Sequence, residues 1–372
     1  MGEKIREFES NATTRSVSLA KGMGTWNNEE KPEIPDDEDL NLSLRTKGEA
    51  EDIYSFLDKL ENTPVTKKTR VLLTFPLRPQ FIDRTVDLGL GYLYSSLRLE
   101  GYDVDLNMRS WKKRHFRKYL TENKVDVVGI KCYGSTTEQT IETINFIHSI
   151  SPETTVLIGG PQIYGDPDNV LDYIPANFAF YGDCEEVLVE FLDRYFGHVE
   201  GDYHEVDGLI YRRERGKSVV NHLAVVKDLN RVPYPPWNRL PITIPRAVNY
   251  FYRYYPNAVM MRSRGCNMAC RFCSNPFDFR ERNVEHIIQE MKYLKKEYGV
   301  REFLFFDNNF NANRKHTRMI CQRMIDEKIN TPWYVTHGMR VNTVDKETVK
   351  LMSEAGLTRP PKSSPNVKLR FL

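Results

Sequence analysis

Three closely spaced cysteines are the residues of this sequence with the clearest chemistry. The segment RGCNMACRFC, residues 264–273, contains Cys266, Cys270 and Cys273, half of the six cysteines in the 372-residue chain. In a reducing compartment clustered cysteines more often bind metal or react than form disulfides. The remaining three stand alone in segments with the pattern of packed strands or helices, and we interpret them as structural: Cys132, Cys184 and Cys321.

The spacing CxxxCxxC provides three metal ligands rather than four. A structural zinc site normally takes four protein ligands, and the 40 residues after the segment add only His286. An iron–sulfur cluster held by three cysteines leaves its fourth iron free to bind another molecule. The spacing therefore favours such a cluster, with a zinc loop or an inert cysteine loop as the alternative.

The elements around the cysteines alternate between strands and helices. AVMMRS is a predicted strand that leads into the cysteine segment, and the helix NVEHIIQEMKYLKKEY follows it. Two further strand and helix pairs follow: REFLFFD with RKHTRMICQRMIDEK, and WYVTHG with DKETVKLMSEAG. This alternation predicts three βα units over residues 256–356.

A second region of alternating elements lies ahead of the cysteines. Five short apolar runs are predicted as strands: RVLLTF, YDVDLN, VDVVGIK, TTVLIGG and FAFYG. Helical patterns separate them, so we predict a parallel, doubly wound Rossmann-like sheet over residues 66–200. We interpret residues 1–65 as a flexible extension, 201–255 as a hairpin and Pro-rich linker, and 357–372 as an irregular tail.

The cysteine segment, with Phe272 before its last cysteine and a βα strand in front, resembles the radical S-adenosylmethionine (radical SAM) enzymes. The resemblance implies that Cys266, Cys270 and Cys273 bind a 4Fe-4S cluster whose open iron chelates S-adenosylmethionine (SAM). It places Phe272 near the adenine. Asp307 and Asn308 of FFDNNF are the candidates for its methionyl end, and helix capping is their alternative role.

The preceding region resembles the cobalamin-binding domain of the cobalamin-dependent radical SAM enzymes. The resemblance covers residues 70–355 and implies a partial (β/α) barrel after the Rossmann-like domain. Candidate cobalamin-binding residues lie in loops after strands, where ordinary turns are the alternative: Gly134, Ser135, Thr136, Gly159, Gly160, Pro161 and Gly182. One departure is Asn107 in DLNMRSW, where the DxHxxG motif of some cobalamin domains has the histidine that ligates cobalt.

The resemblance implies methyl transfer to an unactivated carbon of a small-molecule or peptide substrate, with an electron donor of the flavodoxin or ferredoxin type. Two alternatives stay open: a radical SAM cyclase or rearrangement enzyme without cobalamin, and an inactive remnant that serves as a scaffold. The second follows from the three βα units, since full members of the family have six. We therefore expect a C-terminally truncated form of a longer enzyme.

Composition excludes several other classes. The net charge is +2, and no basic stripe interleaved with aromatic residues indicates nucleic-acid binding. No apolar run approaches the roughly 18 residues that span a bilayer, and the N-terminus lacks the apolar region of a signal peptide. We expect a cytoplasmic protein.

Overall fold

The structure, a computed structural model, describes residues 52–77, 86–109, 111–213, 216–242, 253–268 and 270–359. All of these residues belong to one compact unit. Within these ranges no helix combines the length and the apolar character that crossing a membrane requires. The predicted extension and tail fall largely outside the described residues.

The first sheet has seven strands in the order β2-β1-β3-β4-β5-β6-β7. Its parallel strands are β1 (Arg70–Thr74), β2 (Asp103–Asn107), β3 (Val127–Lys131), β4 (Thr155–Gly159) and β5 (Phe178–Phe180). The order reverses at β1, which is the doubly wound arrangement that the sequence predicts. Ligands of such sheets bind at the carboxyl ends of the strands next to the reversal.

Helices connect the parallel strands and cover both faces of this sheet. They are α2 (Leu88–Leu99), α3 (Lys113–Asn123), α4 (Thr137–His148), α5 (Pro161–Gly165), α6 (Val170–Tyr173) and α7 (Val187–Tyr195). The strand side chains alternate between the two faces. Val71 and Leu73 pack in one core cluster, and Leu72 between them packs in the other.

The predicted hairpin extends the first sheet rather than forming a separate linker. Strands β6 (Leu209–Arg212) and β7 (Ser218–Val220) are antiparallel, and β6 pairs with β5. The domain therefore continues beyond residue 200, the predicted boundary. The Pro-rich connector after the hairpin packs on the second half of the chain, where the Trp237 indole donates to Glu290 Oε1 at 2.9 Å.

The second sheet has four parallel strands in the order β13-β12-β11-β8. They are β8 (Asn257–Met260), β11 (Glu302–Phe305), β12 (Trp333–Val335) and β13 (Leu357–Arg359). Helices α8 (Val284–Tyr298), α9 (Arg314–Asp326) and α10 (Lys346–Glu354) follow the first three strands. The three predicted βα units are present.

Strand β13 corrects the prediction of an irregular tail from residue 357. The residues LTR pair with β12 directly before the two prolines that discouraged a strand assignment. A prolyl ring constrains the residue before it to extended backbone, which is compatible with a strand that ends there.

Helix α1 (Ile53–Asn62) corrects the other end of the chain. Its Asp52 caps the first turn by accepting from Ser55 N–H. Phe56 is buried against Tyr234 of the Pro-rich connector, with ring centroids 5.5 Å apart. The helix belongs to the folded core, although the sequence placed it in a flexible extension.

Of the two hydrophobic core clusters, one is shared by the two sheets. One cluster of buried side chains includes Leu73 and Phe180 of the first sheet and also Val259, Phe303 and Trp333 of the second. Because burial of this surface is shared, each sheet contributes to the stability of the other.

Candidate functional site

A cavity of about 280 Å³ lies between the two sheets. The carboxyl ends of β1, β3, β4 and β5 form one wall, which includes Leu73, Lys131 and Gly159. The segments that follow β8 and β11 form the opposite wall, which includes Arg264 and Asn308. The cavity is thus at the edge of the doubly wound sheet where ligands bind, and it faces the cysteines.

Four of the seven predicted cobalamin-binding residues line this cavity: Gly159, Gly160, Pro161 and Gly182. A Cβ atom on Gly159 would meet no other atom within 4 Å, so a side chain there would enter open space. Gly182 has a φ of +130°, and a Cβ atom would lie 2.2 Å from the Ala224 carbonyl oxygen. Gly159 therefore keeps the cavity open, and Gly182 permits a close backbone approach.

The other three predicted residues lie elsewhere. Gly134, Ser135 and Thr136 form a turn of 3₁₀ helix after β3, and the cavity lining does not include them. Thr136 closes this turn, since its hydroxyl accepts from Tyr133 N–H at 3.0 Å. Their role in ligand binding stays a prediction.

One buried ion pair lies in the wall formed by the first sheet. Lys131, the last residue of β3, lies 2.6 Å from Asp87 Oδ2, and Tyr133 donates to the same oxygen at 3.2 Å. Asp87 also caps α2 by accepting from Leu90 N–H. Burial lowers the pKa of Lys131, but the Asp87 carboxylate and the Tyr133 hydroxyl together outweigh burial and raise that pKa overall. The pair therefore places the Lys131 ammonium at the cavity wall with its charge balanced by Asp87.

The cysteine loop, residues 265–279, leaves the second sheet between the short antiparallel strands β9 (Ser263–Arg264) and β10 (Arg280–Glu281). Cys266 is half-buried, while Cys270 and Cys273 are exposed. The Cys273 N–H donates to the Cys270 carbonyl oxygen at 3.0 Å, so these two thiols come from one turn.

The three thiols do not surround a common point. Among the described residues, no three His, Cys, Asp or Glu side chains form a group that could hold a metal ion. The donor set nevertheless fits an iron–sulfur cluster, since it consists of three free thiols on one loop beside the cavity. Their role as cluster ligands stays a prediction.

The two predicted SAM-binding residues after β11 differ in their environment. Asn308 lines the cavity and donates to Asn275 Oδ1 of the cysteine loop at 3.3 Å. Asp307 is fully buried, accepts from the Ser263 hydroxyl and lies 3.5 Å from Arg262 Nε. Burial raises the pKa of Asp307, and Arg262 opposes the rise. These contacts hold β9 against the loop after β11.

Phe272, predicted to lie near adenine, projects into solvent with 92% of its surface exposed. Nothing in the fold requires an aromatic side chain at that place. The ring is accessible to a ligand, and its place near the adenine stays a prediction.

Several cavity residues were not among the sequence-based candidates. Tyr164 packs edge-on against Phe277 of the cysteine loop, with centroids 5.4 Å apart. Cys184 lines the wall formed by the first sheet, and burial raises the pKa of its thiol. Lys131 had a usable signal, because it ends a predicted strand. The approach of Tyr164 to Phe277 depends on how the two sheets pack, which no local pattern shows.

Comparison with known families identifies the two regions of the chain that contain the first and the second sheet. Residues 83–192 match the B12 binding domain, and residues 260–361 match the Radical SAM superfamily. The two matches together cover more than half of the chain and contain most of the residues that line the cavity. The chain is a B12-binding radical SAM protein. Its family implies a 4Fe-4S cluster, SAM and cobalamin as cofactors, and the predicted fold class is confirmed.

Relatives of this B12-binding radical SAM protein include named methyltransferases. It is 29% identical over 309 residues to an uncharacterized methyltransferase of Pyrococcus horikoshii, covering 78% of this chain and 64% of the relative. It is 23% identical over 332 residues to the cytidylyl-2-hydroxyethylphosphonate methyltransferase of Streptomyces wedmorensis, covering 73% and 60%. The chain thus spans a little over three fifths of the first relative and three fifths of the second.

A solved structure shares the fold. The radical SAM methyltransferase TsrM of Kitasatospora setae, determined with cobalamin and a [4Fe-4S] cluster bound, superposes with a TM-score of 0.61 at 19% identity. The match covers 78% of this chain and 58% of that one. At this identity the likeness concerns the arrangement of the two domains and not the substrate.

Proposed function

We propose that this protein is a cobalamin-dependent radical SAM methyltransferase that acts on an unactivated carbon of a small-molecule or peptide substrate. The cavity between the two sheets carries the proposal. It is lined by glycines of the B12-binding domain on one wall and by residues beside the cysteine loop on the other. For such a transfer the substrate must reach both the SAM-derived radical and the corrinoid, and this cavity adjoins both predicted cofactor sites.

We assign cobalamin to the wall formed by the first sheet. Gly159 leaves room for a large planar ligand, and Gly160 and Gly182 line the same wall without a Cβ atom. Among the described residues that line the cavity, none is a histidine. Asn107 donates to Thr74 Oγ1 and to the Arg109 carbonyl oxygen. The histidine ligand of the DxHxxG motif therefore has no counterpart at this position.

We assign the cluster to Cys266, Cys270 and Cys273, and SAM to the space between Phe272 and Asn308. The bound cofactors supply the electron that cleaves SAM and the carrier for its methyl group. The residues of this chain orient the reactants, and the apolar side chains of the cavity, such as Leu73 and Leu188, exclude water. An external donor of the flavodoxin or ferredoxin type would reduce the cluster.

We place the protein in the cytoplasm. Its six cysteines are all free, and a reducing compartment keeps them so. The same compartment contains the proposed electron donors and SAM. Periplasmic export of the folded chain, detected by cell fractionation, would contradict this assignment.

Anaerobic reconstitution tests the proposal. The purified 372-residue chain, supplied with iron, sulfide and hydroxocobalamin, should retain a corrinoid spectrum and an iron–sulfur absorbance after gel filtration. With reductant and SAM it should form 5'-deoxyadenosine and S-adenosylhomocysteine, the product of SAM that has lost its methyl group. Cys270→Ala should abolish the 5'-deoxyadenosine, and the structural Cys321→Ser serves as control.

The products separate the alternatives. 5'-Deoxyadenosine without S-adenosylhomocysteine and without bound corrinoid would favour a cyclase or rearrangement enzyme that does not use cobalamin. Binding of corrinoid with neither product would favour a scaffold. Either result would overturn the proposed methyl transfer.

A further inference from the structure

The base of the cysteine loop brings two arginines face to face. In the antiparallel pair of β9 and β10, Arg264 is the register partner of Arg280. Like charges directly opposite each other destabilise a strand pair. Both side chains are largely buried, so water screens little of the repulsion. A compensating charge must hold these two strands together.

Asp183, from the loop after β5 of the B12-binding domain, provides this charge. Its Oδ1 lies 2.9 Å from Arg264 Nη1, and its Oδ2 lies 2.5 Å from Arg280 Nη1. The Val226 N–H donates to the same Oδ2 at 3.1 Å and fixes the carboxylate. One carboxylate of the first domain thus bridges both strands at the base of the loop in the second.

Glu185 completes the arrangement. Its Oε1 accepts from Arg264 Nη2 at 2.6 Å, and its Oε2 accepts from Arg264 Nη1 at 3.2 Å. Such bidentate pairs fix the plane of the guanidinium as well as its position. The two carboxylates balance the two arginines. Asp183, Glu185 and Arg264 all line the cavity, so this cluster joins the cavity to the cysteine loop.

The loop has little freedom above this base. Gly265 has a φ of +76°, and a Cβ atom there would lie 2.0 Å from the Asp278 carbonyl oxygen. The next residue, Cys266, donates its N–H to the Phe277 carbonyl oxygen at 3.2 Å. The spacing of the arginines therefore sets the conformation at the first cysteine.

We propose that Asp183 and Glu185 are positioning residues that hold the cysteine loop closed and couple it to the cavity. Only the identity of the ligand in the cavity rests on the proposed function. Because coupling between two sites is reciprocal, a ligand that contacts these carboxylates stabilises the loop, and a cluster on the loop favours that ligand.

Cysteine alkylation in the cofactor-free chain tests the coupling. The chain is kept reduced under argon and pulsed with iodoacetamide, and peptide mass spectrometry gives separate rates for Cys266, Cys270 and Cys321. Asp183→Asn and Glu185→Gln should each raise the rate at half-buried Cys266 about ten-fold, because loss of a partner in a buried ion pair is strongly destabilising. Exposed Cys270 should change little.

A matched control replaces a carboxylate outside this cluster. Glu285 pairs with Arg323 on the surface of the domain that contains the cysteine loop, and Arg323 Nε lies 2.8 Å from Glu285 Oε1. Glu285→Gln should leave all three rates unchanged, since exposed pairs contribute little. Cys321 is fully buried, so its alkylation reports global opening. If Asp183→Asn also raises the alkylation rate of Cys321, that variant has lost its global stability, and the rates of the Glu185→Gln variant are used to test the inference.

Amide exchange removes the remaining ambiguity. The alkylation rate depends on the reactivity of the Cys266 thiol as well as on its exposure, whereas exchange of the Cys266 backbone amide reports the opening of the loop. This exchange should accelerate together with alkylation. Unchanged amide exchange at Cys266 in both variants would overturn the inference.

Hydroxocobalamin distinguishes this inference from the proposed function. Added to the wild-type chain it should slow alkylation of Cys266, and Glu185→Gln should lose this protection. If hydroxocobalamin neither binds nor protects while both variants still open the loop, cobalamin dependence is wrong and the positioning role stands. If hydroxocobalamin binds but the variants behave like wild type, the positioning role is wrong and the proposed function stands.

Discussion

At the scale of single residues, Gly159 offers the most direct test of the cavity. A leucine there would project into open space and occupy volume meant for a ligand. We expect Gly159→Leu to weaken hydroxocobalamin binding about ten-fold, or about 1.4 kcal/mol, with little change in melting temperature. Spectroscopic titration and circular dichroism measure the two quantities.

Gly165 provides the matched control. It too has no atom within 4 Å of a built Cβ, but it ends α5 and does not line the cavity. Gly165→Leu should leave corrinoid affinity unchanged. Equal losses of affinity in the two variants would show that this cavity is not the corrinoid site.

His316 should make stability depend on pH. Its Nε2 contacts the Arg282 carbonyl oxygen at 2.8 Å and its Nδ1 faces Arg262 Nη1 at 2.6 Å, so the ring is held neutral. Burial, with Arg262, lowers its pKa from 6.5 to about 3. Between these values the unfolded chain binds a proton that the folded chain does not. The free energy of unfolding therefore falls as pH falls below 6.5.

Urea denaturation at several pH values measures this contribution. From pH 6.5 to pH 5 we expect wild type to lose about 2 kcal/mol more than His316→Gln, since a pKa unit corresponds to about 1.4 kcal/mol. Both proteins share all other titrating groups, so the difference isolates His316. Parallel pH profiles for wild type and variant would contradict the neutral, buried ring.

The sequence predicted residues of the site unevenly. Gly159, Gly160 and Gly182 could be proposed because they end strands, and the structure places them at the cavity. Asp183 and Arg264 could not, because they are 81 positions apart and meet only through packing of the two domains. Charge patterns show local pairs, whereas pairs between domains require the tertiary structure.

At the scale of elements, Gly265 controls how the cysteine loop leaves β9. Gly265→Ala would combine a positive φ with a Cβ atom 2.0 Å from the Asp278 carbonyl oxygen. We expect the base of the loop to open, with a loss of about 1–3 kcal/mol in unfolding free energy and less iron bound after reconstitution. Urea denaturation and iron analysis test both effects.

Gly299 separates the effect of a positive φ from the effect of the close approach to the Asp278 carbonyl oxygen. It ends α8 with a φ of +61°, but a Cβ atom there would meet nothing within 4 Å. Gly299→Ala should cost only about 1 kcal/mol and leave iron content unchanged. If the two variants lost equal amounts of iron, the close approach at Gly265 would not be the reason.

Prediction of helices and strands succeeded where a periodic pattern extended over many residues, and it failed at short segments. The amphipathic helix α8 and the apolar strand β4 agree with prediction, since many residues contribute to each pattern. Strand β13 has three residues and precedes two prolines. The Pro-rich composition therefore led to the prediction of an irregular tail, because the pairing with β12 is not visible in the sequence. Helix α1 was visible as a helix, but its burial against the connector depends on long-range contacts.

At the scale of the whole molecule, the shared core predicts that both domains unfold together. Cys132 is buried in the first sheet's core, and Cys321 is buried on α9 of the second domain. Their alkylation midpoints in a urea series should coincide within error, because unfolding of one sheet exposes apolar surface of the other. Mass spectrometry of each peptide measures both midpoints in one sample.

Non-coincident midpoints would contradict a common unfolding transition. Lower urea for Cys321 would indicate that the radical SAM domain opens first, and lower urea for Cys132 would indicate the reverse. The buried bond between Trp237 and Glu290 is one of the contacts that opposes either outcome.

The carboxylates at the base of the cysteine loop also bear on how such enzymes can be recombined. A chimera whose fusion point is the Pro-rich connector would combine a B12-binding domain from another protein with Arg264 and Arg280 of this protein's radical SAM domain. Unless the donor supplies acidic residues equivalent to Asp183 and Glu185, two buried guanidiniums would remain unneutralised. The practical unit of exchange is therefore the pair of domains, although the chain looks modular when read from end to end.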